Sequence, residues 1–153
     1  MATQARTRSR DLYEEDFYVW TEAQAALLRE RRFEALDLAN LVEEVEALGR
    51  AERSKTLSNA SVVIELLLKL QHSLAEDPRG GWMDSVAEHR RRLEFDLTPR
   101  LKQILRNELP RVYRVARRDA LRVLRRHGED AAADALPATC PFRVEQIIGD
   151  WWP

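Results

Sequence analysis

Residues 36–72 read LDLANLVEEVEALGRAERSKTLSNASVVIELLLKLQH, and the period of the apolar residues in this stretch decides the fold. Asp37 is a start signal, because a carboxylate at the N-cap accepts from free N–H groups of the first helical turn. Leu36 and Leu41 stand at the positions of a hydrophobic staple around it. Leu38, Leu41, Val45 and Leu48 follow at spacings of three and four, one face of a helix, with Glu43, Glu44 and Glu46 beside or behind them. The stripe thins between Gly49 and Thr56, where Glu52 and Thr56 fall on the inward phase. It returns as more than one stripe in Leu57, Ala60, Val62, Val63, Ile64, Leu66, Leu67, Leu68 and Leu70. Residues 57–70 are therefore expected to be the most buried part of the chain, with Glu65 and Lys69 marking its polar side.

One helix over 37–74 would be roughly 57 Å long at 1.5 Å per residue. A compact chain of this size is only about 40 Å across. The mismatch predicts a bend near Gly49, where a glycine costs about 1 kcal/mol relative to Ala, or a second copy covering the overhang as a homodimer.

The 153 residues are 44% hydrophobic and 33% charged, with five glycines. That balance, with helical period and no alternating runs, predicts an all-α protein. The expected architecture is an irregular bundle of four to five main helices around the long one, plus a short C-terminal helix. A polar, Arg-bearing stretch at 1–10 is expected to be a mobile tail, with 11–153 a single helical domain. No signal peptide, lipidation motif or membrane span is legible, which sets the expected location as the cytoplasm and excludes a membrane partner. One cysteine, Cys140, excludes an intrachain disulfide and a Cys-rich zinc site, and reads as a small buried hydrophobe.

Outward from the long helix, Tyr13, Phe17, Trp20, Leu27 and Leu28 run near helical spacing with a polar lapse at Gln24. This predicts a helix over 14–31 whose first turn holds Glu14, Glu15 and Asp16. Thr21 with Gln24 is an alternative capping box for a shorter helix. On the other side, Pro78 with Gly80-Gly81 predicts a reversal, and a helix follows from Trp82 to Phe95 with Arg90, Arg91 and Arg92 in a row. Three consecutive arginines span about 200° of helix, so at least one is expected to reach acidic groups of the N-terminal half. Thr98-Pro99 is a restart, an N-cap followed by proline at N1. Beyond it the apolar phase persists through Pro110 to Leu124, predicting one kinked helix or two coaxial ones, closed by Gly128 at C′. Residues 136–141 read as extended and 143–149 as a short helical turn. Trp151 and Trp152, costly to leave in water, are expected to fold back or to hook a partner.

Two blocks of this sequence resemble a known family. Tyr13-Glu14-Glu15-Asp16-Phe17 with Trp20, and Leu36-Asp37 through Asn40-Leu41, Glu43-Glu44, Glu46 and Leu48-Gly49-Arg50, are similar to the bacterial family catalogued as Domain of Unknown Function 29. Its members are abundant in cyanobacteria and proteobacteria. The likeness runs from about Leu12 to Asp150 and includes Cys140-Pro141-Phe142. It departs at Leu70-Gln71-His72, where members often carry tryptophan and a further aromatic. The resemblance implies a helical bundle and brings no activity.

A carboxylate-bridged metal centre on a bundle needs Glu-x-x-His, and no histidine here has a glutamate three residues before it. The remaining metal candidates are Glu43, Glu46 and His72, and no cofactor is implied. No phosphate loop or nucleophile signature is present. Charge is uneven: +3 over 1–10, −8 over 11–78, +8 over 79–127 and −4 over 128–153. Either the acidic helices face the basic ones, or the basic half shows its field to an anion. Arg111, Arg114, Arg118, Arg122 and Arg125 form a row able to follow a phosphate backbone. Three functions are thereby in play: a non-catalytic module with a protein partner or self-association, with Trp151 and Trp152 as partner contacts; a nucleic-acid-binding domain using the arginine row; and a metal-assisted hydrolase.

Overall fold

The computed structural model describes residues 12–153, so the expected N-terminal tail lies outside the described residues. The chain is all-α, with no strand among the described residues. Four main helices follow one another: α1 (Phe17–Arg29), α2 (Leu38–His72), α3 (Arg79–Asp96) and α4 (Pro99–Arg126). Two short ones close the chain, α5 (Asp130–Asp134) and α6 (Val144–Ile148). A 3₁₀ turn, Phe33–Ala35, joins α1 to α2. The chain divides into two compact units, one reaching Ala51 and the other Glu52–Pro153, and α2 contributes residues to each.

In the first unit, α1 starts later than the aromatic spacing predicts. Asp16 has φ of −150°, outside the helical region, and its Oδ1 accepts from Val19 N–H at 3.1 Å. A capping carboxylate competes with helical continuation, so 12–15 form a separate helical turn and Asp16 is the cap. The helix ends equally sharply. Arg31 has φ of +58°, its N–H reaches Leu28 O (3.1 Å) and Arg32 N–H reaches Leu27 O (2.9 Å). That is the paired bonding of a Schellman stop with arginine where glycine is usual. Gln24 is no lapse. It is buried, and its Oε1 accepts Asp37 N–H at 2.9 Å. Asp37, also buried, accepts from Trp20 Nε1 (3.3 Å) and Asn40 Nδ2 (2.7 Å). Tyr13, Phe17 and Trp20 cluster at centroid distances of 5.0–5.8 Å, Phe17 stacked on Trp20 and Tyr13 edge-on to both. Thr21 donates to Tyr18 O and starts no helix.

The second unit is built on the later part of α2. Ala60, Val63, Ile64, Leu67 and Leu68 are fully buried against Val86 and Leu93 of α3 and Leu105, Val112, Ala116, Ala120 and Leu124 of α4. Leu136, Phe142, Val144 and Ile147 close the cluster. Thr56 takes the inward position expected of it, returning its hydroxyl to Glu52 O. Lys69, expected on a polar face, is buried. Its Nζ sits 3.0 Å from Glu65 and 5.2 Å from the centre of the Trp82 ring, so carboxylate and π-face replace its water. Gly49 does not break α2, and a Cβ built there meets nothing within 4 Å, so no close crossing explains it.

Two further details depart from expectation, while the course of α4 follows it. Gly80 and Gly81 lie in the first turn of α3 and do not form the reversal, which spans 73–78. There Glu129 accepts from Ser73 Oγ and Leu74 N–H, while Arg79 donates to Leu70 O at 2.9 Å, satisfying a carbonyl that the helix end leaves open. Pro110 lies inside the single helix α4, whose start is capped by Thr98 Oγ on Leu101 N–H and whose end is the Gly128 stop at φ +75°. Arg90 turns away from acidic side chains. It donates to the carbonyls of Gln146 (2.7 Å), Ile147 (3.0 Å) and Trp151 (2.6 Å), and its guanidinium lies 4.9 Å from the Trp152 ring centre.

Candidate functional site

On the first unit, α2 presents a ridge that the fold leaves uncovered. At 100° per residue, Leu38, Val42, Val45 and Gly49 fall within about 60° of arc. The three apolar side chains are 48–64% exposed, and neighbouring Leu48 is 69% exposed. The inward side of the helix lies roughly 160° away and carries Asn40, Glu44 and Ala47, all part-buried. Glu44 accepts from the Tyr13 hydroxyl at 2.6 Å, which pushes that phenol up to about 12. The periodicity of Leu38, Leu41, Val45 and Leu48 is thus real, but of the four only Leu41 is part-buried and the other three are turned to solvent. Glu46 lies beside the ridge, about 40° from Val42, whereas Glu43 stands about 100° from it, toward the packed side. Arg50 lies 3.6 Å from Glu46 one turn on.

On the second unit, α4 carries ten basic and two acidic residues. Arg111, Arg118, Arg122 and Arg125 are all highly exposed. Their acidic neighbours are local: Glu108 for Arg111, Asp119 for both Arg118 and Arg122, and Asp134 of α5 for Arg125. None engages Glu52 among the described ion pairs. Arg117 is a structural member of the helix, donating to Pro137 O and Leu136 O.

The remaining candidates are placed as follows. Among the described residues no group of three or more His, Cys, Asp or Glu side chains is arranged to hold a metal. Glu46 and His72 belong to one unbroken helix, about seven turns apart along it. His72 Nε2 is buried without a hydrogen-bond partner among the described residues, and burial lowers its basicity. Cys140 donates weakly to Phe142 O, and burial raises its thiol, which leaves little thiolate. Trp151 and Trp152 remain 36% and 37% exposed, the former against Phe142 at 5.6 Å and the latter over Arg90. A cleft of about 560 Å³ opens beside them between Arg91, Glu94, Leu97 and Asp150, and Arg90 on its wall is already committed to backbone carbonyls. No described helix is long and apolar enough to cross a membrane.

The exposed ridge and the clasp of Arg90 escape sequence reasoning, because period reports phase and not which side another element covers. A signal for the ridge does exist: Gly49 continues the 4-3-4 spacing of Leu38, Val42 and Val45 with a residue that offers no side chain.

A family model described as "Domain of unknown function DUF29" matches residues 12–152. No curated protein and no solved structure matches the chain.

Proposed function

The chain belongs to the family of domain of unknown function DUF29, which hands down no activity, and we propose that it is a non-catalytic helical module whose docking surface is the outward ridge of α2. The observation that carries this reading is the set of three branched side chains, Leu38, Val42 and Val45, exposed to 48–64% at helical spacing. A face of that period receives an amphipathic helix through anchors at i, i+3, i+4 and i+7. Gly49 at the end of the ridge allows close approach of a second backbone, and nothing among the described residues uses the space. The charge beside the ridge sets the chemistry of the partner: Glu46 is exposed there and its bond to Arg50 is a surface pair, so the incoming helix carries Lys or Arg that can share this carboxylate.

The test is a photo-crosslinking residue in place of Val45, expressed in the native host. A defined heterologous product, lost when Val42→Lys is added, is expected. A product of twice the chain's own mass would assign the ridge to self-association, and no product at all would remove it as a docking surface. Val42→Lys is expected to leave stability within about 0.5 kcal/mol, since the site is already exposed.

A further inference from the structure

We infer that the outward face of α4 is a binding site for the phosphate backbone of a nucleic-acid duplex, engaged without base recognition. The geometry begins with helical phase. Arg111, Arg114, Arg118, Arg122 and Arg125 fall within about 80° of arc and span roughly 21 Å of helix rise. Their direction is fixed from behind: Leu105, Val112, Ala116, Ala120 and Leu124 occupy the opposite side and are buried in the core of the second unit. The row therefore points outward from an immobile support.

Local acids do not cancel it. Asp119 is shared by Arg118 (3.4 Å) and Arg122 (3.3 Å), and Glu108 is shared by Arg111 (3.5 Å) and Arg53. Asp134 takes Arg125 at 3.3 Å, and Arg114 makes no ion pair among the described residues. Five guanidinium groups thus meet one carboxylate of their own, one that two of them share and one that a sixth arginine also uses. Exposed pairs of this kind are worth at most about 1 kcal/mol each, and a phosphate displaces them by offering two acceptor oxygens to the same planar fork. Spacings of three and four residues put successive guanidinium groups roughly 4.5–6 Å apart along the axis, a pitch that flexible arginines match to successive phosphates.

The same helix says which nucleic acid and which mode. Its one aromatic residue, Tyr113, is buried with its hydroxyl on Pro137 O. Single-strand binding without sequence preference relies on exposed rings for base stacking, and α4 offers none. Backbone contact by arginine alone is the sequence-independent mode of duplex binding.

The experiment is fluorescence anisotropy of the full chain with a labelled 24-base-pair duplex of arbitrary sequence, titrated at several salt concentrations. Affinity is expected to fall with a log–log slope of about −3 to −4.5, since each neutralised phosphate contributes roughly −0.9. R114E/R118E/R122E is expected to weaken binding at least tenfold and flatten the slope. D119N, which frees Arg118 and Arg122, is expected to tighten binding two- to fivefold. R92E changes net charge off α4 and is expected to have at most a twofold effect. Absence of binding at 20 mM salt, equal losses in R92E and the triple variant, or polyglutamate competing as well as unlabelled duplex would each overturn the site. A weaker D119N complex would do the same. Circular dichroism of each variant separates a binding defect from unfolding.

Discussion

Val45 and Val63 are the same residue on the same helix, and the first is 61% exposed while the second is fully buried. Leu48 and Leu67 repeat the contrast. Both regions of α2 obey a 3.6-residue period, so amphipathicity alone does not separate them. What separates them is density. Residues 60–70 are apolar around most of the helix and are enclosed by α3, α4 and the C-terminal segment. Residues 38–48 have room for one packed side and one spare apolar ridge, and the packed side is the polar one, held by Asn40, Asp37 and Glu44. A helix face is a core only where something lies on it.

The largest expected effect breaks the comparison at its strongest point. Leu67→Ala is expected to cost about 2–5 kcal/mol in urea unfolding, against under about 0.5 kcal/mol for Leu48→Ala. Similar costs at the two sites would mean the ridge is covered. Next, Arg90→Ala removes three bonds to carbonyls that have no other described donor side chain, and is expected to cost about 2–3 kcal/mol with a red shift of tryptophan emission as Trp151 and Trp152 loosen. In the first unit, Gln24→Leu is expected to cost about 1–3 kcal/mol because Asp37 N–H stays buried without its acceptor. The smallest effects are gains. Gly49→Ala is expected to stabilise by about 0.5–1 kcal/mol, since its Cβ enters open space, while weakening any complex formed through the ridge. Arg31→Gly is expected to add a similar or smaller increment by relieving a left-handed φ.

The long helix, its buried span, the Thr98-Pro99 restart and the Gly128 stop were all legible, because each is a local rule acting on adjacent residues. The short start of α1 was not, since Asp16 reads equally well as a first-turn acid or as the N-cap from which α1 starts afresh. The Arg31 stop hides behind a residue that rarely adopts φ of +58°. Gln24, Lys69 and Arg90 look like surface residues in sequence, and each is buried because a partner distant along the chain satisfies it: Asp37 N–H, the Trp82 ring and the carbonyls of 146–151. For the candidate sites, the arginine row was visible from spacing, whereas its acids, and the solvent-facing ridge, depend on tertiary placement.

Hydroxyl-radical footprinting of the purified, dilute chain tests the central contrast most directly. Leu38, Val42, Val45 and Leu48 are expected to oxidise at rates close to those of the free amino acids, with Val63, Ile64, Leu67 and Leu68 protected at least tenfold. Equal protection of the two sets would contradict a ridge that stands open for a partner.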